Sequence, residues 1–311
     1  MKMQIKAYLD KNVMDKIFDL TSKKAGIRGL ELLNFLAKCD ECITHGGYWQ
    51  KPNKISGDLI RILGENGNAL SIIKDENFSQ IIRDSKSFSL IITNDANKTI
   101  AASCSTSTKT LDEVIGLIEQ VKNNSFFIAP TSVIEDFDKV KILHDPKSII
   151  INDRYFFKNE YPEETLKQII KVIVNKDFIG EISITIFYTN PKNEIPDVEM
   201  KMIKCRDVLQ DCFPTVNFNL EDPIKTRNNS SNHTRFIFTD LSCLKSHDSF
   251  SYLASLDRAT TIDRYIIIDP NNFRSNVKYL ESMLDFAGYK IRQSNNGIIR
   301  SYLEDKSAKT N

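Results

Sequence analysis

The chain has 311 residues, 41% hydrophobic and 27% charged, a globular composition whose length suits two domains better than one. Its 42 basic side chains nearly balance 41 acidic ones, for a net charge of +1. That balance excludes a globally basic nucleic-acid binder, so any such contact needs a local patch.

In chain order, the pattern predicts a strand over 3–9 and a helix over 11–22 on Val13, Met14, Ile17, Phe18 and Leu20. Asp10 stands where a helix cap belongs, and Gly26 where a helix ends. A second helix is expected in IRGLELLNFLAKCDEC, then a loop in THGGYWQKPNKISG and a short helix in GDLIRILG. ALSIIK reads as a strand or the approach to a helix, DENFSQIIRD as a helix, and FSLIITND as a strand. TLDEVIGLIEQVK is an amphipathic helix, with Leu111, Val114, Ile115, Leu117, Ile118 and Val121 on one side. Strand and helix alternate through this half, as in a mostly parallel sheet.

A seam is expected near 136–147, dividing an α/β domain over 1–140 from a second over 147–311, each a mostly parallel or mixed sheet flanked by helices. Beyond it, SIIINDRYFF, EISITIFYT, HTRFIFTD and DRYIIIDP read as strands. EETLKQIIKVIV, DVEMKMIKCRDVLQ and NFRSNVKYLESMLDFAG read as helices. The triplets Asp153-Arg154-Tyr155 and Asp263-Arg264-Tyr265 each lie beside isoleucine-rich strands, an echo too short to be a repeat. No run of about eighteen apolar residues occurs, so no membrane span is expected. The first residues show no signal-peptide core, and a cytoplasmic protein with reduced cysteines is the expectation.

Two of the predicted strands end on carboxylates, Asp10 and Asp95. In an alternating sheet ligand sites gather at such C-terminal ends, and two carboxylates there suit a hard divalent cation for phosphodiester hydrolysis. Asp40 and Glu41 close the second helix, and Asp75 opens the helix before SLIITND. The plainer reading makes Asp10 a helix cap and Asp95 a turn residue. LDKNV after a hydrophobic strand, with IITND later, resembles a PIN-like nuclease domain, whose motifs usually read LDTN or LDSN and Thr-x-Asp. The resemblance implies acids gathered around Mg²⁺ or Mn²⁺ to cut RNA, with Asp10 and Asp95 as metal ligands and Glu41 and Asp75 completing the catalytic set. Lys11 departs from it, standing where the family has a small hydroxyl residue.

In the second half, NHTRFIFTD fits His-x-Lys-x4-Asp with Arg235 in place of lysine, and resembles half of a phospholipase D-like active site. The resemblance implies His233 as nucleophile and Arg235 as phosphate holder, with a homodimer supplying the second copy that the chain lacks. Arginine grips phosphate bidentately, so binding survives the exchange. The preceding loop carries Lys225 and Arg227, which with His233 and Arg235 form the candidate nucleic-acid contact; as a plain reading this is a solvated loop.

Cys39, Cys42 and His45 give Cys-x2-Cys-x2-His, but no second pair follows to complete a zinc set. The leading expectation is a metal-dependent nuclease acting on RNA or DNA, of the kind the PIN resemblance associates with toxins or phage defence. Its rival is a non-catalytic module binding a protein partner or nucleic acid. A metal-independent phospholipase D-like phosphodiesterase, dimeric through His233, is the third.

Overall fold

Ile5, Ala7, Tyr8 and Leu9 are all buried, so the strand β1 (Ile5–Leu9) is covered on both faces. Burial on both faces is the mark of a strand inside a parallel, helix-covered sheet. The computed structural model of the chain describes residues 5–10, 13, 16, 27–45, 69–73, 88–95, 97, 107–121, 124–128, 146–189, 195–226, 234–255 and 260–287. They divide between two compact units, one of residues 1–122 with 266–311, the other of 123–265. The seam expected at 136–147 lies, up to residue 145, outside the described residues.

The first unit runs β1, α1 (Ile27–Lys38), β2 (Glu41–His45), β3 (Ala69–Ile73), β4 (Phe88–Thr93), β5 (Ser107–Thr110) and α2 (Leu111–Gln120). Its five strands are parallel, in the order β3-β2-β1-β4-β5. The chain therefore builds outward from β1 in one direction, then returns and builds outward in the other.

Sequence explains α2 in detail. Thr110 accepts from the Glu113 N–H at 3.2 Å, and the Glu113 carboxylate accepts from the Thr110 N–H at 2.6 Å, a reciprocal cap. Leu111, Val114, Ile115, Leu117 and Ile118 form its buried stripe. The second helix is shorter than its sequence suggests. It ends at Lys38, because Cys39 and Asp40 turn and Glu41 already starts β2. Of the helix expected over 11–22, Val13 and Lys16 are helical and the rest lies outside the described residues.

The second unit holds a mixed sheet in the order β10-β8-β7-β11-β12-β13-β6, with β9 also against β8. Its elements are β6 (Ser125–Ile128), β7 (Ser148–Asn152), α3 (Pro162–Ile173), β8 (Gly180–Thr189), α4 (Val198–Cys212), β9 (Val216–Leu220), β10 (Ile224–Thr226), β11 (Arg235–Thr239), β12 (Ser242–Ser246), α5 (Tyr252–Ser255) and β13 (Thr260–Ile266). A helix α6 (Pro270–Ala287) follows β13 and belongs to the first unit. β7, β8, β9 and β10 are parallel, while β11 runs antiparallel to β7 and β12. β8 is long enough to pair β9 with its first half and β10 with its second; Pro223, which cannot donate to a ladder, lies between those two strands. Ile149, Ile151, Leu166, Ile170, Ile184 and Ile237 centre one continuous core. In β11, Phe236, Ile237 and Phe238 are all buried. Successive side chains point to opposite faces, so both faces of this strand are covered, and its mid-sheet position pairs both its edges.

Candidate functional site

In the first sheet β1 and β4 are adjacent, and each continues into a connection leading away from the other. In open parallel sheets that reversal of strand order leaves a crevice at the C-terminal edge, where ligands bind. Asp10 follows the last residue of β1, and Asp95 stands two residues beyond β4. Leu9 pairs with Ile92, so Asp10 and Thr93 are level, and the Asp10 N–H donates to the Ile92 carbonyl at 2.8 Å.

Thr93 joins the two acids. It is fully buried, and its hydroxyl donates to Asp10 Oδ2 at 2.7 Å. The same oxygen accepts from the Asp95 N–H at 3.0 Å. The Asp10 carboxylate and the Asp95 backbone are thus no farther apart than two hydrogen bonds laid end to end. Asp95 Oδ1 in turn accepts from the Asn97 N–H at 2.9 Å, a side-chain turn that fixes the carboxyl. Both acids are half-buried. The plain reading of Asp95 as a turn residue is met by this geometry.

Glu41 is not brought to this edge. It opens β2 level with Lys6, and the two side chains are paired at 2.7 Å. Leu9 pairs with Thr44, so about four residues of strand, roughly 13 Å, separate Glu41 from the level of Asp10. Asp75 lies outside the described residues, two positions beyond the end of β3. Among the described residues there is no group of three or more histidine, cysteine or carboxylate side chains fit to hold a metal.

Cys39 and Cys42 serve packing. Both are buried, and their thiols donate to the carbonyls of Phe35 and Leu36 at 3.5 and 3.4 Å. Burial, with Cys42 alongside, holds the Cys39 thiol well above its ordinary range, the reverse of what a metal ligand needs.

A second gathering of polar groups lies in the other unit, at the C-terminal edge of β7. Asp153 follows that strand, fully buried. Its Oδ1 accepts from the Tyr155 N–H at 2.9 Å, and its Oδ2 from the Ser249 hydroxyl at 2.8 Å and the Phe250 N–H at 2.7 Å. Burial raises its pKa, while those donors and the Arg235 charge act against the rise. Phe236 pairs with Asn152, so Arg235 is level with Asp153 on the neighbouring strand. Arg235 donates to the His247 carbonyl at 2.8 Å, and its guanidinium lies 5.5 Å from the centre of the Tyr155 ring.

Lys225, on β10, is exposed at the same edge, because Asn152 pairs with Phe187 and Phe187 with Ile224. Arg227 and His233 lie outside the described residues. Asp240, the last member of the His-x-Arg-x4-Asp pattern, is buried between β11 and β12. It stands about 17 Å along the strand from Arg235, so these two do not meet.

Sequence reasoning missed Thr93, Asp153, Arg154, Tyr155 and Lys158. The signal for Asp153, Arg154 and Tyr155 was the triplet after SIIIN, the end of a buried parallel strand. The Asp263-Arg264-Tyr265 echo has a different role: Arg264 is buried against Phe126 at 4.7 Å, and burial lowers its pKa. No helix among the described residues is long and apolar enough to cross a membrane. No family model matches the chain, and no curated protein matches its sequence.

Proposed function

We propose that the chain is a divalent-metal-dependent nuclease whose site is the Asp10–Thr93–Asp95 edge of the first sheet. The observation that carries this reading is the Thr93 hydroxyl, which ties the Asp10 carboxylate to the Asp95 backbone at the point where strand order reverses. Carboxylate oxygens are the donors that Mg²⁺ and Mn²⁺ prefer, and Mg²⁺ commonly takes one or two carboxylates and completes its shell with water and substrate phosphate. Asp10 and Asp95 fit that need and would hold the ion. Once bound, such an ion supplies a Lewis acid for the phosphoryl oxygens and a water acidic enough to attack.

The protein's own residues orient the ligands. Thr93 fixes the rotamer of Asp10 by a hydrogen bond to one of its oxygens. The Asn97 N–H does the same for Asp95. Support of this kind around a ligand commonly contributes about 10- to 100-fold in affinity or activity.

A non-catalytic nucleic-acid-binding module is the second reading, and the position of Glu41 favours it. A carboxylate held by Lys6 at the far edge of the sheet cannot join Asp10. Incubation of the full chain with labelled single-stranded RNA and DNA, with Mn²⁺ or with EDTA, separates the two. The nuclease reading expects cleavage in Mn²⁺, its loss in EDTA, and its loss in Asp10→Asn with the melting temperature unchanged or raised. Cleavage that persists in EDTA rejects the metal site, and binding without cleavage in any divalent metal supports the module.

A further inference from the structure

The strand order of the second unit's sheet ends on two unlike strands. At one end stands β10, with Pro223 just before it and Lys225 exposed on it. Proline and lysine are common means by which a sheet edge is kept from pairing with another chain. At the other end stands β6, whose sequence is SFFI. No charged residue occurs between Lys122 and Glu135, in a chain that is 27% charged. Phe127, inside this strand, is 67% exposed.

Among the described residues, β13 is the one strand that pairs with β6. The antiparallel ladder sets Asp263 level with Ser125, Ile262 with Phe126 and Thr261 with Phe127. The backbone N–H of Arg264 donates to the Asn124 carbonyl at 2.6 Å, so the backbone groups of Asn124 point toward β13. Backbone groups alternate in direction along an antiparallel strand. Those of Phe126 therefore also point toward β13, and the N–H and C=O of Ser125 and Phe127 point away from it. The polar and charged side chains beside them are engaged within the unit. The Ser125 hydroxyl donates to Asp263 at 2.7 Å, and the Arg264 guanidinium lies 4.7 Å from the centre of the Phe126 ring. Outward, β6 presents backbone groups and one aromatic ring, without charge.

Such an edge is a template for another strand, and charge selects which. Under a two-fold axis an antiparallel strand lies beside its own copy, so its charges would meet themselves. Like charges directly opposite destabilise a sheet; a charged edge excludes its own copy and a neutral one does not. An axis through Phe126 sets Ser125 opposite Phe127 of the second copy, and the reverse. In both pairs each outward N–H then meets an outward C=O.

We infer that β6 is a self-association edge, through which two copies of the chain pair antiparallel into one continuous sheet. Each copy contributes a strand of 4 residues, a contact small beside the roughly 1,600 Å² of a standard interface, so the dimer forms and dissociates with concentration. The inference is independent of cleavage at Asp10 and Asp95.

The test uses the full-length protein in sedimentation velocity over about a hundredfold range of concentration. The parent should pass from monomer to dimer and go no further, because a two-fold contact uses up the edge that forms it. Phe127→Pro removes an outward donor and spares the ladder to β13, which the Phe127 N–H does not serve. It should weaken association about tenfold or more, since each copy loses a bond. Phe127→Lys sets like charges across the axis on an intact backbone and should leave a monomer that melts as the parent does; it decides the matter if the proline variant folds poorly. Met200→Lys, at an exposed apolar position of α4, should dimerise as the parent does. Amide exchange read residue by residue should show Ser125 and Phe127 protected at high concentration and fast at low, with Phe126 protected at both. The inference is overturned if the parent stays monomeric throughout, if Phe127→Lys dimerises as the parent does, or if assembly grows past the dimer. Loss of the dimer in Met200→Lys alone would place the contact on α4 and overturn it equally.

Discussion

The Arg274 guanidinium lies 2.6 Å from the Asp40 carboxylate, although 234 residues separate them. The same nitrogen donates to the Lys38 carbonyl at 2.9 Å, and Asp40 Oδ2 also accepts from the Ile5 N–H at 2.7 Å. One carboxylate thus joins the start of β1, the end of α1 and the helix α6. Arg274 and Asp40 are each about four-fifths shielded from water, so their charge-assisted bond is only partly screened.

Removing Arg274 leaves Asp40 and the last carbonyl of α1 without that partner. Arg274→Ala should destabilise the first unit by about 1.5–3 kcal/mol, the range for hydrogen bonds to charged groups. Chemical denaturation followed by circular dichroism checks this. Arg274→Ala as stable as the parent would mean that α6 is held by its apolar side alone.

The division of the chain makes a second prediction. A fragment of residues 123–265 keeps β6 paired with β13 and the whole mixed sheet. It should fold alone and melt in one cooperative step. A fragment of 147–311 lacks β6, leaves the β13 edge bare, and carries α6 without Asp40. It should be less stable than 123–265, or aggregate through that edge. Equal melting temperatures for the two would refute the division.

The strands and helices that alternate in sequence were legible because their periodicity is physical. Isoleucine runs mark strands buried on both faces, and Thr110 with Glu113 spells a helix start. The Asp10 and Asp95 edge was legible for the same reason, since a carboxylate ending an apolar strand is visible in one dimension. Thr93 was not, because its meaning depends on β1 and β4 being neighbours, and sheet order is not written in local pattern. Glu41 misled because the end of α1 and the start of β2 are only three residues apart, so a residue expected to close a helix instead opens a strand. The contact of Arg235 with Tyr155 escaped because it is made across a ladder from far along the chain.

Asp153 yields a prediction with a defined sign. Its folded pKa lies above the ordinary 3.8, chiefly through burial. A carboxyl raised on folding contributes stability that is complete below its unfolded pKa and is lost as pH rises through the folded value. The stability gap between the parent and Asp153→Asn should therefore widen as pH falls toward 3.8 and narrow toward neutrality. At every pH the variant should be weaker by about 1–3 kcal/mol. All three partners of the carboxylate are donors, so an amide NH₂ leaves at least one of them unmatched. A gap that narrows on acidification would mean that Arg235 and the hydrogen bonds outweigh burial.

Thr93 offers the sharpest test of the proposed catalytic edge, because its hydroxyl touches both acids and nothing in its role requires the methyl group. Thr93→Val keeps the shape of a fully buried side chain while removing the donor to Asp10 and the acceptor for the Asp95 N–H. Stability should fall by only about 1 kcal/mol, since both acids are half-buried and water can replace part of what is lost. Mn²⁺-dependent cleavage should fall much further, about 10- to 100-fold, because a freed Asp10 carboxylate no longer holds one orientation. Raising the Mn²⁺ concentration should recover part of the loss if the defect is in metal affinity. Thr93→Ser, which keeps the hydroxyl, should restore activity without needing extra metal. A serine variant as impaired as valine would assign the effect to packing, and a valine variant with full activity would remove the Asp10–Thr93–Asp95 edge from the chemistry.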